Sequence, residues 1–400
     1  MSCRVDWIPL GDLVHFESGG TPSKKSQTYW NGNIPWISAK TLIGDSVATS
    51  NLYITSEGLK AGSRLAREGS LLLLTRGSGL FKRIPLAMTA KDVAYNQDIK
   101  CLTSKRANIS NRYIFFALRS LEPNIVAMLE TTGIGAGKLS TDRLKTLQVP
   151  VLDSESRLKV ERFFEAVFQK IALNTKLNGY LEELCQTLFD RFEADENNDL
   201  VPIKNIAYVN PKRTLKKDTR ALCVEMADLS TSGSFPSDWR VKAYHGGMKF
   251  KNGDTIMARI TPCLENGKTC YVNFLEEGQT GFGSTEYIVM AAKGILPSEF
   301  FYFLARNLSF ISYAIAHMNG SSGRQRVSGT DIEEYEVRMP NSSQLIEFEK
   351  IAVPAMRTIR ANSFENRQLA KLRDALLPKL MSGEIDVSKI DLTQLNSHLA

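Results

Sequence analysis

Asn174, Asn178, Leu181, Leu184 and Leu188 are each followed, 188 positions later, by the same residue type: Asn362, Asn366, Leu369, Leu372 and Leu376. A repeat of that period constrains the chain more than any local motif, because two copies of one pattern fold into two copies of one unit. The register extends outward. Asn111-Arg-Tyr-Ile-Phe-Phe-Ala-Leu-Arg119 answers Ser298-Glu-Phe-Phe-Tyr-Phe-Leu-Ala-Arg306, and Lys138-Leu-Ser140 answers Arg326-Val-Ser328, each leading to a short strand near Pro150 or Pro340. Gly69-Ser-Leu-Leu-Leu-Leu-Thr-Arg76 answers Gly253-Asp-Thr-Ile-Met-Ala-Arg259 with the offset slipped by a few residues. At 400 residues the chain exceeds what one hydrophobic core holds. It reads as an α+β protein with a pseudo-two-fold internal repeat, in which a mixed α/β domain is followed, twice, by a long helix. The expected boundaries are a domain at 1–153, a helix at 154–195, a domain at 199–341, a helix at 342–385 and a tail at 386–400.

Both helices carry coiled-coil spacing. In the first, expected from Ser156 to Glu193, Val160, Phe164, Val167, Ile171, Asn174, Leu177, Leu181, Leu184 and Leu188 follow at steps of three or four. Phe348, Ala352, Ala355, Ile359, Asn362, Leu369, Leu372, Leu376 and Leu380 do so in the second. A helix of about 38 residues spans roughly 57 Å, longer than one domain needs to cover its core. Docking the two helices antiparallel buries both stripes and sets the two domains at opposite ends of a rod. Asn174 and Asn362 either fix the register of that seam or face solvent. Pro354 is expected to kink or break the second helix between Ala352 and Ala355.

Composition narrows the function class. With 43% hydrophobic and 23% charged residues the chain is a globular protein. Its net charge of +7 suits a polyanionic partner. No apolar run approaches a membrane span, the longest being Leu71 to Leu74, and the first residues lack a basic-then-apolar signal, so a cytoplasmic location is expected. Six cysteines, none in a C-x-x-C pair, build neither a disulfide framework nor a metal site, and Cys263 and Cys270 read better as buried hydrophobes than as zinc ligands. His15, His245, His317 and His398 show no ligand spacing. Asn210-Pro211 is followed by Lys212, not by the second proline and aromatic of an amino-methyltransferase loop. Gly267-Lys268-Thr269 lacks the first glycine of a phosphate loop, that place being Pro262. Gly133-Ile-Gly135-Ala-Gly137-Lys138 lacks the spacing of a dinucleotide fingerprint. No catalytic constellation and no metal site emerge.

The order of domain, helix, domain, helix resembles the specificity subunits of type I restriction-modification systems. So do Ile8-Pro-Leu-Gly-Asp-Leu-Val, Gly32-Asn-Ile-Pro-Trp36-Ile-Ser38-Ala-Lys40, Gly283-Ser-Thr-Glu286-Tyr and Leu376-Leu-Pro-Lys-Leu-Met-Ser-Gly-Glu-Ile385. The resemblance implies two target recognition domains joined by two long antiparallel helices, each domain reading half of an asymmetric bipartite site in double-stranded DNA. It implies docking of two methyltransferase subunits and, in the full complex, restriction subunits. Adenine N6 methylation with S-adenosylmethionine, and ATP- and Mg-dependent cleavage, would then belong to those partners, with no cofactor in this chain. Two other readings stay open: a protein-protein scaffold built on the coiled coil, and an enzyme acting alone.

Recognition of DNA needs cations for phosphates and planar donors for base edges, presented from loops. The candidates in the first copy are Thr21, Ser23, Lys24, Lys25, Lys40, Arg76, Ser78, Asn96, Gln97 and Lys138. In the second they are Lys212, Arg213, Lys216, Lys217, Arg259, Asn266, Lys268, Ser321, Ser322, Arg324, Gln325 and Arg326. The run from Ser321 to Arg326 is the foremost, since it mixes small residues with two arginines and a glutamine. The helix seam is expected at Val167, Ile171, Asn174, Leu181, Leu184 and Leu188 against Ile359, Asn362, Leu369, Leu372 and Leu376.

Overall fold

The computed structural model describes residues 4–81, 83–131, 136–321 and 323–387. The chain divides into two compact units, Met1–Lys170 with Leu369–Ala400, and Ile171–Gln368, so each long helix contributes to both.

In the first unit a four-leucine run, buried on both faces, forms the strand Leu71–Leu74 at the centre of a sheet ordered Val14–Ser18, Ile99–Ser104, Leu71–Leu74, Leu86–Thr89, Ser46–Val47. A second sheet runs Tyr53–Ile54, Trp30–Ile37, Val93–Tyr95, Arg64–Ala66, with the central pair parallel. Val5–Pro9 pairs antiparallel with Gln148–Leu152. A small sheet joins Glu130–Thr131, Gly137–Lys138 and Arg76–Gly77.

The second unit repeats this wiring. Its first sheet is ordered Ala207–Val209, Tyr287–Ala292, Thr255–Ala258, Thr269–Tyr271, and its second Arg240–Ala243, Arg220–Val224, Gly281–Gly283, Lys249–Phe250, again with a parallel central pair. Leu200–Pro202 pairs with Glu336–Arg338. The strands the two units share have the same neighbours, whereas Ser46–Val47 and the small sheet of Glu130–Thr131, Gly137–Lys138 and Arg76–Gly77 belong to the first unit, with isolated bridges from Arg326 to Ile260 and Asn319 in the second. The stretches between Ser18 and Leu71 and between Val209 and Thr255 also differ in length. The slip in the sequence offset is made up further on, where Thr89 leads to Val93 in one copy and Tyr271 to Gly281 in the other.

Four helices carry the cores and the seam: α1 (Asn111–Ser120), α2 (Ser154–Glu193), α3 (Glu299–Arg306) and α4 (Ser342–Met381). The long pair are each 40 residues and begin 188 positions apart, at Ser154 and Ser342. Their starts share a cap. Asp153 Oδ1 accepts from the Glu155 and Ser156 amides at 3.1 and 3.0 Å, and Asn341 Oδ1 accepts from the Ser343 and Gln344 amides, both at 3.0 Å. These amide bonds, the Ser156 one foremost, hold the Asp153 carboxyl below its ordinary value. The aromatic faces of α1 and α3 explain why each unit has a core at its long helices. Phe116 of α1 meets Phe164 of α2 at 5.7 Å between ring centroids, and Phe300 of α3 stacks on Phe192 of α2 at 5.8 Å.

The buried stripe on α2 is Val160, Phe164, Val167, Ile171, Asn174, Asn178, Leu181, Cys185, Leu188 and Phe192, half-buried at Ile171, Asn178 and Leu181. Its steps alternate strictly between four and three, a heptad seam. On α4 the same register gives Phe348, Ala352, Ala355, Ile359, Asn362, Asn366, Leu369, Arg373, Leu376 and Leu380, half-buried from Asn362 to Leu376. Leu184 and Leu372 therefore do not belong to the seam, being 48% and 41% exposed, and Leu177 is also exposed. Counting leucines takes two consecutive steps of three, from Ile171 to Asn174 to Leu177, which rotates the reading off the stripe. The true path crosses Asn178 and Cys185.

Within the second unit the seam is antiparallel and polar at its middle. Asn174 Nδ2 donates to Glu365 Oε2 at 2.7 Å and Asn366 Oδ1 at 3.0 Å, and Asn362 Nδ2 donates to Asn178 Oδ1 at 2.8 Å. Asn174 is 4% exposed, so it faces its partner helix and not solvent. Because Asn362 and Asn366 are the repeat equivalents of Asn174 and Asn178, the contact is self-complementary.

Pro354 does not break α4, which is helical from Ser342 to Met381. Pro354 and Lys350, whose carbonyl loses its helical donor, are both exposed, so water can satisfy that carbonyl.

Candidate nucleic-acid interface

Both units build the same backbone junction at the end of their central strand. In the first, the Thr75 amide donates to the Asp98 carbonyl at 2.8 Å and the Leu139 amide to the Thr75 carbonyl at 2.8 Å. In the second, the Arg259 amide donates to the Glu286 carbonyl and the Val327 amide to the Arg259 carbonyl, both at 3.0 Å. Three chain segments distant in sequence thus meet at one point in each copy.

In the first unit the junction gathers most of the expected residues. Arg76 is the strand partner of Lys138. Thr21 Oγ1 donates to Gln97 Oε1 at 2.6 Å, and the Asn96 amide donates to the Ile37 carbonyl at 2.9 Å, placing the loop that holds Lys40 beside it. Gly19 permits this approach: a Cβ there would lie 2.3 Å from the Tyr95 carbonyl oxygen. Lys24, Lys25, Lys40 and Arg76 are exposed and Lys138 is half-buried, and none has an ion-pair partner among the described residues. Ser23 and Ser78 are exposed beside them. Asn96 is different. It is buried, with Nδ2 donating to Asp98 Oδ2 at 3.2 Å and Oδ1 accepting from the Asp98 amide, so it shapes the turn and does not face outward.

In the second unit the junction is charged and closed. Arg326 donates to Glu286 from Nε, at 3.0 and 2.9 Å, and from Nη2, at 2.7 Å, while Arg259 Nε donates to the same carboxylate at 3.3 Å. The Arg326 guanidinium, and Arg259 beyond it, hold the Glu286 carboxyl below its ordinary value. Arg326 Nη1 donates to the Arg324 carbonyl at 3.0 Å. Arg326 and Arg259 are therefore occupied inside the protein, contrary to the expectation of free base or phosphate donors. Arg213 is likewise engaged, in an ion pair with buried Asp254, whose carboxyl burial pushes up to about 6, and Lys268 Nζ donates to the Met226 carbonyl at 2.6 Å.

What remains presented in this unit is Arg324, Ser321 and Asn266, all exposed, with Gln325 half-buried. Asn266 sits on the turn whose Thr261 amide donates to the Gln325 carbonyl at 3.1 Å. Lys212, Lys216 and Lys217 are exposed on a separate loop, and no contact among the described residues ties them to the junction. Ser322 lies outside the described residues. Sequence reasoning misses the pairing role of Glu286, although the residue stands in the stretch Gly283-Ser-Thr-Glu286-Tyr. Its place 188 after Asp98, with Arg326 188 after Lys138, is the signal that points to it.

Among the described residues no group of three His, Cys, Asp or Glu side chains is placed to hold a metal ion, and no helix is long and apolar enough to cross a membrane.

Known proteins are similar to this chain in sequence and in fold. Residues 5–183 match the type I restriction modification DNA specificity domain. The Escherichia coli type I restriction enzyme EcoR124I/EcoR124II specificity subunit is 33% identical over 150 residues, a match covering 37% of each chain. The type I restriction enzyme MjaIX specificity subunit of Methanocaldococcus jannaschii is 23% identical over 428 residues, covering 96% of this chain and 95% of that one. The crystal structure of a type I restriction-modification S subunit from M. genitalium shares the fold, with a TM-score of 0.60 over 94% of this chain and 96% of that one at 14% identity. Over residues 5–183 the chain carries the type I restriction modification DNA specificity domain, and its likeness to a type I specificity subunit runs through 96% of its length.

Proposed function

We propose that this chain is the DNA-reading, non-catalytic subunit of a type I restriction-modification complex, with residues 1–153 and 199–341 as its two target recognition domains. Each domain reads one half of an asymmetric, interrupted site in double-stranded DNA. The helices at 154–195 and 342–385 set the spacing and dock two methyltransferase subunits. Restriction subunits join those in the full complex. S-adenosylmethionine, ATP and Mg serve the partner subunits, and the complex works in the cytoplasm, where the DNA is. The observation that carries this reading is the junction built twice. Loops from three segments meet in each copy, and each copy presents cations there: Arg76, Lys138 and Lys40 in one, Arg324 in the other. Two such modules differing in side chains suit two unlike half-sites.

Salt dependence tests the reading. With its methyltransferase partner, the chain should bind a duplex with an affinity that falls linearly as salt rises on logarithmic axes, and Lys24→Ala, Lys25→Ala and Lys138→Ala should each lower the slope by about one. A complex that assembles yet retains no duplex at low salt would favour the scaffold reading instead.

A further inference from the structure

The second recognition domain carries a short turn closed at Asn319 and Arg326, from which the Arg324 side chain stands free. Asn319 and Arg326 exchange both backbone hydrogen bonds at 2.9 Å, and the Arg324 amide donates to the Ser321 carbonyl at 3.0 Å. Gly323, at φ +78°, supplies the left-handed backbone the turn needs. Glu286 grips Arg326 through three hydrogen bonds, and Arg326 Nη1 reaches back to the Arg324 carbonyl. The carboxylate is thus tied to the backbone of the residue at the tip. Arg324 itself is exposed, and its guanidinium has no partner among the described residues.

We propose that Arg324 is a base-reading residue of the second recognition domain, and that Glu286, acting through Arg326, is the positioning residue that fixes its approach to the groove. The proposal rests on the DNA-reading assignment above. A planar fork of donors held on a rigid stem is suited to the paired acceptors of a guanine edge in the major groove, whereas a fork on a loose loop meets phosphates with little selection. An anion at such a surface repels the phosphate backbone unless it is neutralised, and here two arginines neutralise it. The first domain lacks the device. Asp98 stands in the place of Glu286 and binds Asn96, and Lys138 in the place of Arg326 has no ion-pair partner among the described residues. The consequence is one-sided: disturbing Glu286 should blur only the half of the site that the second domain reads.

The test is methylation sequencing of DNA from cells expressing the full chain with its methyltransferase partner, comparing wild type, Arg324→Ala, Glu286→Gln and the double variant. The expected result is a split motif in wild type. Arg324→Ala should lose selectivity roughly ten-fold at one position of one half, and Glu286→Gln should weaken selectivity at that same position with the other half intact. The double variant should be no worse than Arg324→Ala, because the two act as one unit. A thermal transition for Glu286→Gln that stays cooperative and well above the growth temperature separates positioning from a general loss of fold. A split wild-type motif left unaltered at every position by Arg324→Ala overturns the proposal while sparing the assignment. So does a motif altered by Glu286→Gln at positions unrelated to those affected by Arg324→Ala. The absence of any motif in wild type overturns both.

Discussion

Single side chains in this protein divide between those that build the junction loops and those that the loops present, and the sequence alone does not separate them. Arg326 and Arg324 are two residues apart with the same chemistry, yet one is tied to Glu286 and the other faces outward. Residue type marks both, because a guanidinium suits a base edge and a carboxylate equally; only the partner decides. Asn96 and Arg213 mislead for the same reason. The Glu286 pairing has a pH signature. Since its carboxyl is held below the ordinary value of 4.5, the stability it contributes is fully present above that value and is lost as pH falls through the depressed one. The backbone amides of Asn319 and Arg326 should therefore keep their hydrogen-exchange protection at neutral pH and lose it on acidification below the ordinary carboxylate range. Glu286→Gln should remove that dependence. Protection that stays constant in wild type across the same range would show that the carboxylate does not hold the turn.

At the scale of elements the two long helices are legible as a pair, through their spacing and the repeat, but their seam is not wholly so. Leucines at 177, 184 and 372 draw the reading off the stripe because the true heptad passes through Asn178, Cys185 and Arg373, which hydrophobicity does not flag. Pro354 reads as a break from its backbone chemistry alone, which says nothing of its lying on the solvent side. The caps, Asp153 and Asn341, are 188 apart and are signalled by Asp-x-x-Ser and Asn-x-x-Gln at helix starts. Asp153→Ala and Asn341→Ala should each destabilise the protein by about 1 kcal/mol in denaturant unfolding. Asp153→Asn should be nearly neutral. No loss in either alanine variant would mean that the cap hydrogen bonds carry no stability. The asparagines at the seam make a second test. Asn174→Leu leaves Asn366 without its donor in the middle of the contact and should lower the denaturation midpoint, whereas Asn174→Leu with Asn366→Leu should recover or exceed it. A double variant as unstable as the single one would show that the amides, not apolar burial, hold the helices together.

For the whole molecule, the internal repeat is the decisive signal, and it anticipates both the fold and the duplication of the loop junction. What it does not carry is the difference between copies. The two domains share strand order, but one exposes unpaired cations at its junction and the other neutralises them with Glu286, and such pairings depend on loops whose lengths have diverged. The central claim is that one chain reads two unlike half-sites, each through its own junction. The measurement that tests it most directly is methylation sequencing with the partner methyltransferase, comparing wild type with an Arg76→Ala, Lys138→Ala double variant in the first domain. The account predicts an interrupted adenine-methylated motif in wild type, with methylation in the double variant weakened or relaxed at one half and the other half still specified. A continuous motif, or a variant in which both halves degrade together, would contradict it.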